Sequence, residues 1–278
     1  MINKLEDVEV SNIGVTDQQL EEVFTRMSKD SQLRKLAIAG NNLSSIQPEV
    51  LASAIRKLEE MNIGYTHITR EQGRAVFSAL DGNDLLRKLT ICSNDLSSVH
   101  PELLGRVLSK VEELDISYTH LQGHHAMQLF AAIKQKGCLN KLKISWNNLS
   151  GVPPDVLAKG VAQIEEVDME STSITTQQGS LLLSFLMEEK RLKRLSLVRN
   201  NLSEMEPEIL AAGVIRLEKA NLYFTSLSGE QVTCMLRECL EQDTGLRELT
   251  VREIPDVDVS LELVWAVRDK LGDMININ

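Results

Sequence analysis

Aromatic residues are scarce in this chain: phenylalanine, tryptophan and tyrosine make up 4% of its 278 residues. A core with few rings has to be built from aliphatic side chains, and a chain of this length can do so by stacking small repeated units. Long apolar runs are also absent, since none approaches the roughly 18 residues of a membrane span. The start, MINKLEDVEV, lacks the basic and apolar segments of a signal peptide. We therefore expect no membrane association.

Cysteines and basic residues are also limited in number. The four cysteines (Cys92, Cys138, Cys234 and Cys239) form no C-x-x-C motif and no terminal cluster, which favours a reducing, cytoplasmic location. Lysine and arginine number 30 against 40 acidic residues, a net charge of −10. Nucleic acid is therefore not an expected ligand, because its phosphates require a basic surface. The negative charge is compatible with a basic partner protein.

Two sequence patterns return every 53 residues along the chain. The first, LRKLAIAGNNL at Leu33, recurs at Leu86, Leu139 and Leu192, and a weaker copy begins one residue late at Leu246. The second, LEDVEVSNIGV at Leu5, recurs at Leu58, Val111, Ile164 and Leu217. Because the two alternate with spacings of 25 and 28 residues, the chain holds ten repeats in five pairs.

Each repeat predicts one strand followed by one helix. In L-x-x-L-x-L the leucines alternate with polar residues, as in a strand buried on one face. Stacking such strands in parallel requires a return connection, which a helix supplies. The helices of the 25-residue repeats begin at prolines followed by an acidic residue: Pro48, Pro101, Pro154 and Pro207. Those of the 28-residue repeats begin at capping boxes: Thr16-x-x-Gln19, Thr69-x-x-Gln72, Thr175-x-x-Gln178 and Ser228-x-x-Gln231.

The predicted fold class is α/β: a leucine-rich-repeat solenoid, a right-handed α/β horseshoe with a concave parallel β-sheet and convex helices. We expect a single domain over 1–278, with a weakly capped first repeat at 1–32, eight regular repeats at 33–245 and a last repeat with a closing helix at 246–278. Phe24, Phe77 and Phe130 recur on helices and are assigned to the core. Trp265 of the closing helix is also expected to face the core.

A short polar residue follows each regular strand and is expected to bond the backbone of the neighbouring coil. It is asparagine in one repeat type (Asn41, Asn94, Asn147 and Asn200) and threonine in the other (Thr66, Thr119, Thr172 and Thr225).

The pattern resembles the ribonuclease-inhibitor-like class of leucine-rich repeats, which alternates two repeat types with a helix in each. The phrases NNLS…PE-(V/L/I)-L-A and LEE-(V/L/M)…T-x-(I/L)-T…Q are similar to those of NOD-like receptors and of repeat-only innate-immune proteins of invertebrate chordates such as amphioxus. The resemblance implies a non-catalytic recognition module that holds a protein or microbial ligand on its concave face. Enzyme inhibition or regulation of small GTPases, which also occur in this class, are the alternatives. No G-x-x-x-x-G-K-[ST] loop occurs in these 278 residues, so we expect either a free-standing array or a fragment without the nucleotide-binding module of those receptors.

Charged residues at the first concave position alternate in sign from strand to strand, except that Lys219 lies beside Arg194. They are Asp7, Lys35, Glu60, Lys88, Glu113, Lys141, Glu166, Arg194, Lys219 and Glu248. A ladder of salt bridges or a pattern read by a ligand would both explain the alternation. Acidic residues crowd the middle of the array: Glu112, Glu113, Asp115, Glu165, Glu166, Asp168 and Glu170. They either steer a basic partner or form a solvated acidic face.

Five aromatic residues lie at the C-terminal edges of strands: Tyr65, Tyr118, Trp146, Tyr223 and Phe224. They either form a binding hot spot on the rim or cover the junction between strand and loop. The candidate ligand-binding residues are therefore these five together with Glu113, Asp115, Lys141, Lys143, Glu166, Asp168 and Glu170. No catalytic residue, cofactor or metal is predicted.

Three further features receive separate interpretations. His120, His124 and His125 resemble metal ligands, but His67 precedes His120 by one 53-residue period, which favours a repeat position. Cys92 is either a reactive thiol or a small strand residue. The first strand, with Leu5, Val8 and Val10, has no covering segment, and we expect a modest tendency to dimerise there unless acidic neighbours or upstream sequence protect it.

Overall fold

The computed structural model describes residues 6–30, 32–136, 138–251, 259–272 and 275–277. The chain divides into two compact units, Met1–Lys143 (unit 1) and Ile144–Asn278 (unit 2).

Unit 1 is built from alternating strands and helices. Its strands are β1 (Asp7–Glu9), β2 (Lys35–Ala37), β3 (Glu60–Asn62), β4 (Lys88–Thr90), β5 (Glu113–Asp115) and β6 (Lys141–Lys143). Its helices are α1 (Asp17–Asp30), α2 (Pro48–Ala54), α3 (Arg70–Asp81), α4 (Pro101–Leu108) and α5 (Gly123–Lys136). Consecutive strands pair in parallel at the repeat period, so that Glu60 lies opposite Lys88 and Lys88 opposite Glu113.

Unit 2 continues the same alternation. Its strands are β7 (Glu166–Asp168), β8 (Arg194–Ser196), β9 (Lys219–Asn221), β10 (Glu248–Val251) and β11 (Ile275–Ile277). Its helices are α6 (Pro154–Val161), α7 (Thr176–Phe185), α8 (Pro207–Val214), α9 (Gly229–Glu241) and α10 (Leu261–Leu271). The strands again pair in parallel and in chain order. The predicted α/β leucine-rich-repeat solenoid is confirmed, and β11 is a strand that the repeat pattern did not predict.

Each short strand buries one side and exposes the other. In β4, Leu89 is fully buried whereas Lys88 is exposed, as the alternation predicts. We call the side of the strands that carries Lys88 and its counterparts the open face. The opposite side forms the core, in which the rings of Phe24, Phe77 and Phe130 are fully buried.

The helix starts are those that the sequence predicts. Pro48, Pro101, Pro154 and Pro207 occupy the first turns of their helices. Thr69 and Gln72 form a complete capping box, as do the corresponding residues of α7 and α9. The structure adds a second role for the glutamine: Gln72 is buried, and its Nε2 donates to the carbonyls of Leu43 and Ile46, both at 2.6 Å. One side chain therefore caps its own helix and joins it to the preceding repeat.

The asparagine ladder is also confirmed. Asn94 is buried, and its Nδ2 lies 2.8 Å from the carbonyl oxygen of Ile63 and 3.1 Å from that of Ile91. Its Oδ1 accepts the Ile68 N–H at 3.2 Å. Asn200 makes the corresponding bonds in unit 2. Each asparagine thus satisfies backbone groups that the short strands leave unpaired.

The prediction for Trp265 is wrong. In α10 the buried residues are Val264 and Val267, three positions apart on one face, whereas Trp265 is 61% exposed. Successive residues in a helix point about 100° apart, so a helix that buries Val264 turns its neighbour Trp265 towards solvent.

Candidate functional site

A residue with a left-handed backbone conformation lies just beyond the strand in the repeats of both units. In unit 1 these residues are Asn12, Gly40, Tyr65, Ser93 and Tyr118, with φ from 55° to 70°. In unit 2 they are Trp146, Ser171, Arg199 and Phe224, with φ from 52° to 60°. We call each set the left-handed column of its unit.

The left-handed columns extend the hydrogen-bond ladder beyond the strands. The Tyr65 N–H donates to the carbonyl oxygen of Cys92 at 2.9 Å, and the Trp146 N–H donates to that of Glu170 at 2.8 Å. A side chain in this conformation costs about 1–2 kcal/mol, which glycine avoids. Tyrosine, tryptophan, arginine and phenylalanine therefore stand where glycine or asparagine would fold with less strain, which favours a role for these side chains beyond folding.

Arg199 connects the aromatic residues of unit 2. Its guanidinium carbon lies 5.9 Å from the centre of the Trp146 ring and 5.3 Å from the centre of the Phe224 ring, both within cation–π range. The Tyr223 and Phe224 rings contact each other with centres 4.0 Å apart. The carboxylate of Glu170 lies 3.0 Å from Nη1 of Arg199. We call these five residues the rim stack.

The rim stack faces solvent mainly at Trp146 and Arg199. Trp146 is 41% exposed and the Arg199 side chain 49% exposed, whereas Tyr223 and Phe224 are half-buried. In unit 1, Tyr65 and Tyr118 are 59% and 45% exposed. The rings of Tyr65, Tyr118 and Trp146 are therefore accessible to a partner.

Ion pairs join neighbouring strands across the open face. In unit 1, Lys35 lies 2.6 Å from Glu60, and Lys88 lies 2.9 Å from Glu113. The Glu60 carboxylate, through a hydrogen bond and its charge, raises the pKa of Lys35 above its usual value. In unit 2, Arg194 pairs with Glu166 at 3.3 Å and Lys219 with Glu248 at 2.6 Å. The alternation of charge thus forms the ladder of salt bridges that was one of its two interpretations.

Four candidate residues of unit 1 surround one depression on the open face. Glu113 lies opposite Lys141 and Asp115 opposite Lys143 in the pairing of β5 with β6. Together with parts of β4 they line a cavity of about 210 Å³. Asp115 also accepts the Ser117 N–H at 3.1 Å. The depression brings charges of both signs together over a shallow surface.

The acidic residues of unit 2 do not stand alone. Glu165 contacts Lys193 at 3.3 Å and Arg194 at 3.4 Å, and Glu170 contacts Arg199. Asp168 accepts the Glu170 N–H at 3.2 Å. Basic residues of the next repeat therefore balance much of the negative charge that the sequence places here.

Cys92 has the properties of a small packing residue. It is buried, and a Cβ at Gly64 would lie 2.8 Å from its sulfur, so glycine provides the space for the thiol. Burial, reinforced by the charge of Asp115, raises the pKa of Cys92 to about 11. The thiol is therefore protonated at neutral pH and is a poor nucleophile.

Two negative findings apply to the described part of the chain. No group of three or more histidine, cysteine, aspartate or glutamate side chains there could hold a metal ion. No helix in those ranges is long and apolar enough to cross a membrane.

Arg199 is a site residue that the sequence analysis missed. A signal was available, because Arg199 follows Trp146 by one 53-residue period and so shares its position in the repeat. The sequence analysis compared only the aromatic residues at this position and therefore missed Arg199 between Trp146 and Phe224.

The repeats, the parallel strands with alternating helices and the asparagine ladder define a leucine-rich-repeat solenoid. The chain is 20% identical, over 98% of its length, to the ribonuclease inhibitor of Sus scrofa, and 20% identical, over 77%, to that of Mus musculus. It spans 60% and 50% of the length of those relatives. No protein-family model matches the chain.

Solved structures show the same fold. The leucine-rich-repeat protein LegL7 of Legionella pneumophila matches with a TM-score of 0.54 and 15% identity, over 96% of this chain and 90% of that one. A leucine-rich-repeat protein of Leptospira interrogans matches with a TM-score of 0.51 and 16% identity, over 99% and 72%.

Proposed function

We propose that the protein is a non-catalytic binding module that holds a partner protein, or a microbial ligand, against the open face and the residues of the left-handed columns. The observation that carries this proposal is the rim stack of unit 2. Tryptophan, tyrosine and arginine are the residue types most enriched at the energetic centres of protein interfaces. Here Arg199 contacts Trp146 and Phe224, and Phe224 contacts Tyr223, in a partly exposed group.

The rim stack is held in place before any partner arrives. Trp146 and Phe224 flank the Arg199 guanidinium, and Glu170 binds one of its nitrogens. A side chain that is already ordered loses less conformational entropy on binding, which raises affinity. The strained backbone of Trp146, Arg199 and Phe224 is consistent with selection for the surface they present.

The shape of the open face favours a macromolecular ligand. The depression beside Glu113 and Lys143 measures about 210 Å³, below the roughly 300–1,000 Å³ of typical small-molecule pockets. Charged residues of both signs line it, as at the polar part of a protein interface. Glu113, Asp115, Lys141 and Lys143 would then contribute specificity more than affinity.

An unbiased ligand source tests this proposal. A phage-displayed peptide library is selected against the immobilised full chain, and the recovered peptides are measured against Trp146→Ala and Arg199→Ala. We expect losses of tenfold or more, about 1.4 kcal/mol. The control is Trp265→Ala, which removes an exposed tryptophan of unit 2 outside the rim stack. Equal binding to wild type and Trp146→Ala would contradict the proposal.

Two partner classes deserve direct comparison. The similarity to proteins named ribonuclease inhibitor favours a ribonuclease as partner, whereas the NNLS and LEE phrases favour an innate-immune role with a microbial ligand. Pancreatic ribonuclease is the probe for the first class and purified bacterial cell wall for the second. Stoichiometric inhibition of the ribonuclease would favour an inhibitor, and retention on the cell wall would favour a sensor.

We also propose a cytoplasmic location and a homodimer through β1. All four cysteines are free, as expected in a reducing compartment.

The homodimer would cover the first strand. Val8 and Val10 are only half-buried, whereas Leu36 and Ile38 in the next strand are buried, so a second copy would cover Val8 and Val10. Leu5 lies outside the described residues. A monomeric mass in light scattering at high concentration would contradict the homodimer.

A further inference from the structure

His125 stands where the other 28-residue repeats carry a glutamine. The residues at this position are Gln19, Gln72, Gln178 and Gln231, each one 53-residue period or a multiple of it from His125. Gln72, Gln178 and Gln231 are buried and make the same two kinds of bond. Their Oε1 accepts the backbone N–H of the residue at the helix start, and their Nε2 donates to carbonyls of the preceding repeat.

The imidazole of His125 takes over both bonds. Its Nδ1 accepts the Gln122 N–H at 3.4 Å, in place of the glutamine oxygen. Hydrogen bonds between the ring and the backbone of Val99 and Ser97 raise the pKa of His125. A backbone carbonyl that accepts a ring N–H has this effect, so we infer that the other ring nitrogen donates to these carbonyls. This pattern assigns the proton to Nε2 and the lone pair to Nδ1. His125 thus joins the start of α5 to the loop before α4.

A glutamine amide keeps this pattern at every pH, but an imidazole does not. When Nδ1 binds a proton it becomes a donor facing the Gln122 N–H, which is also a donor. The backbone carbonyl of Gln122 already accepts the backbone N–H of His125 at 2.9 Å. Burial is the first cause that lowers the pKa of His125, and the electrostatic effect of the neighbouring His124 is the second.

Charged and titratable neighbours of His125 lie on α5 and on the loop before α4. His124 precedes His125 on α5, with ring centres 4.0 Å apart. On the loop that packs against the ring, Asp95 binds Ser97 at 2.6 Å and Arg70 at 3.1 Å, and its pKa is lowered, so it remains ionised. His100 follows Val99 and is the N-cap residue of α4. Of these groups, His124 is the one that shifts the pKa of His125.

We propose that His125 makes the segment from Tyr118 to Gln122 pH-sensitive, so that this segment and the first turn of α5 are held at neutral pH and loosen when the ring binds a proton. The segment contains Tyr118 of the left-handed column and His120, which also has a positive φ. Acid pH would therefore weaken binding at Tyr118. That consequence rests on the proposed function, whereas the loosening itself does not.

Hydrogen–deuterium exchange of the full chain, corrected for intrinsic exchange rates, tests the loosening without any partner. Between pH 7.5 and pH 5.5 we expect local opening of the amides at the start of α5 to increase by up to about tenfold, because the open form titrates near 6.5. His125→Gln, which restores the residue of the other repeats, should abolish this increase. His120→Gln, an exposed neighbour, should retain it. The same pH dependence in wild type and His125→Gln would overturn the proposal.

Two further measurements separate the possible failures. A titration of the His125 ring by NMR in the wild-type chain should give a midpoint below 6.5, and a midpoint at or above 6.5 would overturn the proposal even if His125→Gln does not fold. Binding of selected peptides to Tyr118→Ala at pH 7.5 tests the site alone. Unchanged binding there would remove Tyr118 from the proposed function while leaving the exchange result intact.

Discussion

The guanidinium carbon of Arg199 lies 5.9 Å from the centre of the Trp146 ring, although 53 residues separate the two in the chain. The solenoid produces this contact, because residues one period apart occupy the same place in the repeat. Phe224, in the repeat after Arg199, approaches the same guanidinium from the other side. A periodic fold has thus assembled an aromatic–cationic group from residues that are distant in sequence.

Tyrosine at position 65 should strain the backbone. With φ at 56°, Tyr65→Gly should be more stable than Tyr65→Ala by about 1 kcal/mol, because only glycine adopts this conformation without a steric penalty. Urea unfolding of the two variants measures the difference. Equal stability would show that the left-handed column is not strained.

The asparagine ladder should be a major contribution to stability. Asn200→Ala leaves the carbonyls of Met169 and Leu197 without their Nδ2 donor in a buried site, and we expect a loss of about 3 kcal/mol in the free energy of unfolding. The matched control is Asn201→Ala, since Asn201 is exposed and its Oδ1 bonds the Ser203 N–H. Similar losses for the two variants would contradict this assignment.

The ion pairs of the open face should contribute little to stability. Lys219 and Glu248 lie 2.6 Å apart, but their side chains are 51% and 33% exposed. A double-mutant cycle with alanine at both positions should give a coupling below about 1 kcal/mol, decreasing further as salt is added. A larger coupling that persists in high salt would show that the ladder stabilises the fold.

Cys92 should resist alkylation. With a pKa of about 11, on the order of 0.1% of the thiol is ionised at pH 8. Iodoacetamide followed by peptide mass spectrometry should modify the exposed Cys138 first and Cys92 only slowly. Preferential labelling of Cys92 in the folded protein would restore the interpretation as a reactive thiol.

The fold was predictable because its signals repeat. Pro101, Thr69 and Asn94 each recur at a fixed spacing, so chance agreement is excluded, and each performs the role that its chemistry predicts. Features that occur only once in the chain were harder to predict. Trp265 lies in a helix without a repeat counterpart, and the apolar pattern of eleven residues did not establish which face is buried.

The candidate site was predictable only in part. The position of Tyr65, Tyr118 and Trp146 beyond the strands was predicted, but whether their rings are exposed required the structure. The ion pairs of Glu170 with Arg199 and of Glu165 with Lys193 did not, because they depend on side chains of adjacent repeats meeting across the sheet. The double bonding role of Gln72, which makes His125 informative, likewise required coordinates.

The most direct test of the account is the affinity of one selected peptide, measured by calorimetry at pH 7.5 for the wild-type chain, Trp146→Ala and Trp265→Ala. Both variants remove a partly exposed tryptophan from unit 2, but only Trp146 belongs to the rim stack. The account predicts a loss of at least about tenfold for Trp146→Ala, equal to about 1.4 kcal/mol, and a change within about twofold for Trp265→Ala. Wild-type affinity in a folded Trp146→Ala variant would contradict it.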